Sequence, residues 1–234
     1  MYKGKSILAI IPARGGSKGI PRKNLKELAG KPLIVWTIEE AGKSKYIDRI
    51  ILTSEDDEII KAAQKWGCEV PFVRPAELAG DDTPGIKPVI HAINAIGEKY
   101  DYIVLLQPTS PLRTANDIDA CIQTCIQKNA PVCVSVCASP KSPFWMYTLN
   151  DETKLCPLLQ TEPSFTCRQS LPPVYVLNGA LYVAQADYLL QKKCFISEET
   201  LAYIMPADRS WDIDDEIDFR ICDLLKRELL PSSS

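Results

Sequence analysis

Histidine is nearly absent: His91 is the only one in the chain. It stands near polar Lys87 and Glu98 and off the apolar stripe of its own helical pattern, so we read it as solvated, and a lone imidazole argues against both a His-based triad and a histidine-rich metal site. Long apolar runs are also missing. The stretch Ile7–Ala13 is far short of the roughly 18 apolar residues of a membrane span, and no signal-peptide pattern precedes it, so a cytoplasmic chain without a membrane partner is expected. Neither sign of charge dominates. With 27 Lys and Arg against 30 Asp and Glu, the net charge of -3 supplies no general attraction to nucleic acid or to an anionic membrane, so any anion site must be local. What is present is an ordinary globular composition: 46% hydrophobic and 24% charged over 234 residues, enough for a packed core and unlike a disordered chain, a fibre or a coiled coil.

The nine cysteines are odd in number and scattered through a chain too large to need stapling, which favours reduced thiols. Cys121 and Cys125 share a helical stripe with Ile118, Ile122 and Ile126, whereas Cys133 and Cys137 lie in a strand-like run that holds them too far apart for one zinc. All four read as packing residues.

Short, continuously apolar runs alternate with amphipathic ones. Strands are expected over 6–13, 49–54, 102–108 and 131–138, with helices over 32–42, 56–66, 85–99 and 116–128 between them. That order predicts βαβ units, a mainly parallel sheet with helices on both faces, and ligands beyond the carboxyl ends of the strands. The pattern breaks over 139–173, where prolines, a polar turn at 150–154 and the aromatics Phe144, Trp145 and Tyr147 suggest a hairpin-containing insertion that forms an interface. It resumes with a strand at 176–184, a helix at 186–193, a strand at 202–205 and a last helix at 214–229. We expect a single domain over 1–230, with 231–234 as a disordered tail.

The first strand runs into Ile11-Pro12-Ala13-Arg14-Gly15-Gly16-Ser17-Lys18-Gly19-Ile20-Pro21-Arg22-Lys23-Asn24. Between Arg14 and Asn24 there are four cations, three glycines, a serine and no acid, in a protein that is net acidic. Glycines allow backbone N–H groups to approach an anion, and Arg and Lys neutralise it, so this is a phosphate cradle by composition. Its spacing fits neither a Walker loop nor a dinucleotide fingerprint.

Other candidates are ambiguous on their residues alone. Arg74 reads equally as a surface charge at a strand end. Gln107 is the first polar residue after an apolar strand, at the ligand edge, but also precedes the turn-forming Pro108 and Pro111. Arg113 reads as a structural ion-pair partner. Asp212 and Asp214, two apart on extended chain, share a face and suit one hard cation, while Asp215 and Glu216 suit the N-terminus of the following helix.

The segments IPARGGSKGIPRKN, LAGKPLI, VPFVRPAELA, LLQPTSPLR, CRQ, NGALY and WDIDDEID, in that order, resemble the acylneuraminate cytidylyltransferase family over nearly the whole chain, from Lys5 to Glu228. The resemblance implies a Rossmann-like nucleotidyltransferase fold, transfer of CMP from CTP to a nine-carbon 2-keto sugar acid with Mg²⁺ and release of pyrophosphate, and a homodimer built through the insertion. It implies that Arg14, Gly15, Ser17 and Lys18 hold the triphosphate, that Lys23 lies near the α-phosphate, that Asn24 reads cytosine and that Arg74 joins the nucleotide site. It further implies that Gln107, Arg168, Gln169 and Asn178 shape the acceptor pocket and that Asp212 and Asp214 hold Mg²⁺. Arg14, Lys23, Asp212 and Asp214 would then carry the catalysis. One departure is Gly85, where the family often has a serine, which leaves Thr83 to supply any side-chain contact there. Two rival readings are a synthetase for an eight-carbon acid and a nucleotide-binding regulator without turnover.

Overall fold

The computed structural model describes residues 1–17, 19–159, 169 and 171–230. Lys18, Arg168 and the tail 231–234 lie outside the described residues.

Ile7–Pro12 forms strand β1, fully buried at Ile7, Ala9, Ile10 and Ile11. Ile7, Ala9 and Ile11 pack in one apolar cluster while Leu8 and Ile10 pack in another. Alternate side chains point to opposite faces of a strand, so a run apolar at every position requires cover on both. Strands β2 (Glu27–Leu28) and β3 (Lys31–Pro32) make a small antiparallel hairpin absent from the sequence expectations, because two-residue strands carry no periodicity. Helix α1 (Leu33–Gly42), strand β4 (Arg49–Thr53), helix α2 (Asp57–Lys65), helix α3 (Ile86–Ile96), strand β5 (Tyr102–Leu106), helix α4 (Ala115–Gln127) and strand β6 (Val132–Ala138) follow, each overlapping its expected element. In the insertion, β7 (Tyr147–Leu149) pairs with β8 (Leu155–Pro157) around a turn in which Asn150 Oδ1 accepts from the N–H groups of Glu152 and Lys154. Strand β9 (Tyr175–Gln185), helix α5 (Ala186–Lys192), strand β10 (Thr200–Ile204) and helix α6 (Glu216–Leu229) complete the chain.

The six-stranded sheet has the order β10-β6-β9-β5-β1-β4. All pairings are parallel except those of β9, which runs antiparallel to both β5 and β6. The connection from β6 to β9 runs through the insertion, and β9 returns alongside β6 in the opposite sense. The mainly parallel sheet expected from the sequence is therefore found, with one reversed strand at its centre.

Helix α4 is fixed by a capping box between Thr114 and Asp117. Burial pushes the Asp117 carboxyl up, but bonds from Arg209 and Thr114 outweigh it and hold it below the usual carboxylate range. Cys121 and Cys125 are buried on this helix, and Cys121 lies against Cys133 of β6 with 3.8 Å between sulfurs, so these thiols pack as expected. His91 departs from expectation. It is half-buried, stacked edge-on against Phe72 with ring centroids 5.2 Å apart, because the 72–74 segment covers the side of α3 that sequence spacing leaves open to solvent.

Candidate active site

At the carboxyl ends of β1 and β5 lies a cavity of about 330 Å³. Arg14, Gly16, Ser17, Lys23, Asn24, Arg74, Gln107, Asp212 and Asp214 all line it, although they come from four separate stretches of sequence. A larger cavity of about 530 Å³ sits at the opposite, amino ends of β1 and β5. Two of its acids are already engaged: Asp101 accepts from Ser6 and Lys5, and Glu98 pairs with Arg49. The smaller cavity is where an α/β sheet offers its ligand edge.

The loop after β1 is braced from two sides. Arg22 pairs with Asp56 and Glu58, which draws that cation away from the cavity, and Asp56 also caps α2. The Arg22 bond is the largest influence holding the Asp56 carboxyl below the usual carboxylate range. Lys23 Nζ donates to the Ile213 carbonyl, tying the other end of the loop to the Asp212–Asp214 segment. Of the four loop cations, Arg14 and Lys23 therefore line the cavity, Arg22 does not, and Lys18 is not described. Arg14 meets Asp81 at 2.8 Å across the cavity.

Asn24 is buried, with one amide hydrogen donated to the Arg14 carbonyl at 3.0 Å. Gly15 departs from the expected cradle: its N–H donates to Glu55 Oε1 at 2.8 Å, and Gly16 lines the cavity in its place. Helix α3 begins at the cavity wall with Gly85 as N-cap and no side-chain cap. The uncapped N–H groups and the helix dipole favour an anion there. The Thr83 hydroxyl, next to it on the wall, donates to the Glu77 carbonyl at 3.3 Å.

Gln107 stands one residue beyond β5 and lines the cavity, as expected at that edge. Asn178 does not line it. Its Oδ1 accepts from Ser135 and its Nδ2 donates to Ser210 and Met205, so the amide the resemblance assigns to the acceptor is spent on holding β9 against β6 at a bulge. Gln169 is exposed and outside the cavity lining. Arg113 also corrects the expectation of an ion pair. It is fully buried and bonds the Gln107 and Ala180 carbonyls and the Thr37 hydroxyl, and burial pushes its pKa down to about 10.

Asp212 and Asp214 lie on irregular chain just before α6, and Asp215 caps that helix with a capping box to Asp218. Burial is the main cause that raises the Asp212 pKa; a Thr109 bond opposes it and the Asp214 charge adds to it. Asp212 Oδ1 is buried with no hydrogen-bond partner. An orphaned carboxylate oxygen beside a second carboxylate fits a hard divalent cation. Among the described residues no group of three or more His, Cys, Asp or Glu could hold a metal.

A cationic glycine-rich loop, a carboxylate pair and a sheet-edge cavity are shared by several nucleotide-handling folds. Residues 8–198 match the family described as Cytidylyltransferase. The chain belongs to that family. Relatives that it spans almost end to end include the CMP-N,N'-diacetyllegionaminic acid synthase of Legionella pneumophila, 34% identical over 94% of this chain and 95% of that protein. The pseudaminic acid cytidylyltransferase of Campylobacter jejuni is 31% identical over 93% and 95%. The N-acylneuraminate cytidylyltransferase of Escherichia coli is 36% identical over 92% of this chain, which spans 51% of it. This cytidylyltransferase is thus a nucleotidyltransferase of the acylneuraminate type. Its fold is that of a CMP:2-keto-3-deoxy-manno-octonic acid synthetase solved with CTP, at a TM-score of 0.71 and 17% identity over 96% of this chain and 100% of that one.

Sequence reasoning missed Glu55, Asp56, Asp81 and Thr109 as parts of the site. The signal available was the acidic pair Glu55-Asp56 at the carboxyl end of β4, beside the cationic loop that follows β1.

Proposed function

We propose that this cytidylyltransferase transfers CMP from CTP to a nine-carbon 2-keto sugar acid of the sialic, legionaminic or pseudaminic type, releasing pyrophosphate. The observation that supports this most directly is the convergence of Arg14, Lys23, Asn24, Gln107, Asp212 and Asp214 on one cavity. The full-length relatives named for legionaminic and pseudaminic acids support the acceptor class. In this reading the anomeric hydroxyl of the sugar acid attacks the α-phosphorus in line and pyrophosphate leaves. Arg14, Ser17 and the α3 N-terminus hold the triphosphate, Lys23 neutralises charge near the α-phosphate, and Asn24 reads the cytosine edge with its amide. Gln107 orients the acceptor. Asp212 and Asp214 would hold Mg²⁺, which when bound neutralises phosphate charge. A panel of sialic, legionaminic and pseudaminic acids and the eight-carbon KDO, offered with each nucleoside triphosphate, tests the reading. Pyrophosphate is expected only with CTP and a nine-carbon acid, and release with KDO alone would favour the eight-carbon rival. CTP binding with no release from any acceptor would favour a regulator.

We also propose a homodimer through the insertion. Trp145, Tyr147, Leu149 and Leu155 of the hairpin segment and Tyr175 and Leu177 of β9 are large apolar side chains left exposed, which supports an interface on this part of the chain. Sedimentation velocity should give a dimer, and Leu149→Asp with Leu155→Asp should convert it to monomer. A wild-type monomer at micromolar concentration would refute the interface.

A further inference from the structure

We propose that Glu55 is a positioning residue of the phosphate cradle, setting affinity for the CTP triphosphate through the Gly15 N–H and the Arg74 guanidinium. The inference rests on the loop being the CTP site. Glu55 does not line the cavity; Arg74 does. Glu55 Oε1 accepts from Gly15 N at 2.8 Å and Oε2 accepts from Arg74 Nη2. The other Nη2 hydrogen goes to the Ala13 carbonyl at 2.9 Å, at the very end of β1. Arg74 is only 3% exposed, and its Nε is buried without a partner. Two bonds from one nitrogen therefore fix the plane of a buried guanidinium. One carboxylate thus sets both where the loop leaves the sheet and how the cavity's buried arginine faces. The neighbouring Asp56 also comes close to the loop here: a side-chain carbon on Gly15 would overlap its carboxylate.

The placement gives a test whose sign separates positioning from charge. Glu55 is an anion next to a site for a triphosphate, so by charge alone its removal should strengthen CTP binding. Positioning demands the reverse. In Glu55→Gln the amide has one acceptor for two donors, so either Gly15 N–H or Arg74 Nη2 faces an NH₂ group. Glu55→Asp keeps the charge but is one methylene short of spanning both partners. Both variants should raise KM for CTP about tenfold, the cost of one unmet charged hydrogen bond, with KM for the acceptor sugar acid unchanged. Thermal unfolding of each variant separates this from a general loss of fold, and Glu55→Asp decides the matter if Glu55→Gln does not melt cooperatively. A KM for CTP at or below wild type in a folded variant would overturn the proposal while leaving the CTP site intact. Calorimetry on the wild-type enzyme that finds no CTP binding would instead remove the reading of the loop on which the proposal rests.

Discussion

Asp212→Asn should lower turnover by on the order of 10³-fold, about 4 kcal/mol of barrier, and leave the protein folded. The side chain is close to isosteric, so packing around it is kept, and the loss falls on charge. Asp212 is an expensive residue for the fold: its carboxylate is largely buried, lies near Asp214, and leaves Oδ1 unbonded. Nothing in the protein offsets that cost among the described residues beyond the Thr109 bond and the Lys23 charge. If that cost is carried for function, neutralising the charge should leave the melting temperature unchanged or slightly higher. The measurement is kcat at saturating CTP and acceptor alongside thermal unfolding. Near-normal kcat would remove Asp212 from the site, and a large drop in melting temperature would make its role structural.

Gly19→Ala should raise KM for CTP by roughly tenfold to a hundredfold, through loss of the loop's docked position. A side-chain carbon at this residue would overlap the Asp214 carbonyl oxygen, which belongs to backbone just before the capped start of α6. Backbone atoms cannot swing aside as a flexible side chain does, so the loop itself must move, at about 1–3 kcal/mol. Lys23, bonded to the neighbouring Ile213 carbonyl, would move with it. Gly19 is exposed, so the core should be untouched and the unfolding transition should remain cooperative. Binding of CTP by calorimetry separates the two possible failures: lost binding supports the docked loop, whereas wild-type KM and kcat would show that the loop does not need its contact with Asp214. Gly179 makes a comparable close approach. It has φ +71, and a side-chain carbon there would lie 3.0 Å from Asp212 Oδ2 and 3.3 Å from Gln107 Oε1. The strand bends past both polar groups only because nothing projects from it.

Much of the architecture was legible because its physical signals are local. A strand buried on both faces is apolar at every position, as in Ile7–Pro12, and a helix lying on a sheet is apolar at helical spacing, as in α3 and α4. The cationic glycine loop was legible for the same reason, since its chemistry lies within eleven consecutive residues, Arg14 to Asn24. The β2–β3 hairpin was not, because its strands are too short to show alternation. The orientation of β9 was equally hidden, since a strand's own sequence does not encode which way its neighbours run.

Residue type and spacing by themselves determined the fold class, the cationic, glycine-rich character of the first loop and the placing of Asp212 near Asp214 on one stretch of chain. Tertiary structure alone decided which of these groups remain available. It turned Arg22 outward onto Asp56 and Glu58, spent the Gly15 N–H on Glu55 and the Asn178 amide on Ser135 and Ser210, and bonded the buried Arg113 to the Gln107 and Ala180 carbonyls. Hydrogen bonds and ion pairs are contests among all donors and acceptors within about 3 Å, and the winners are set by partners tens of residues away in the chain, which no local pattern can name.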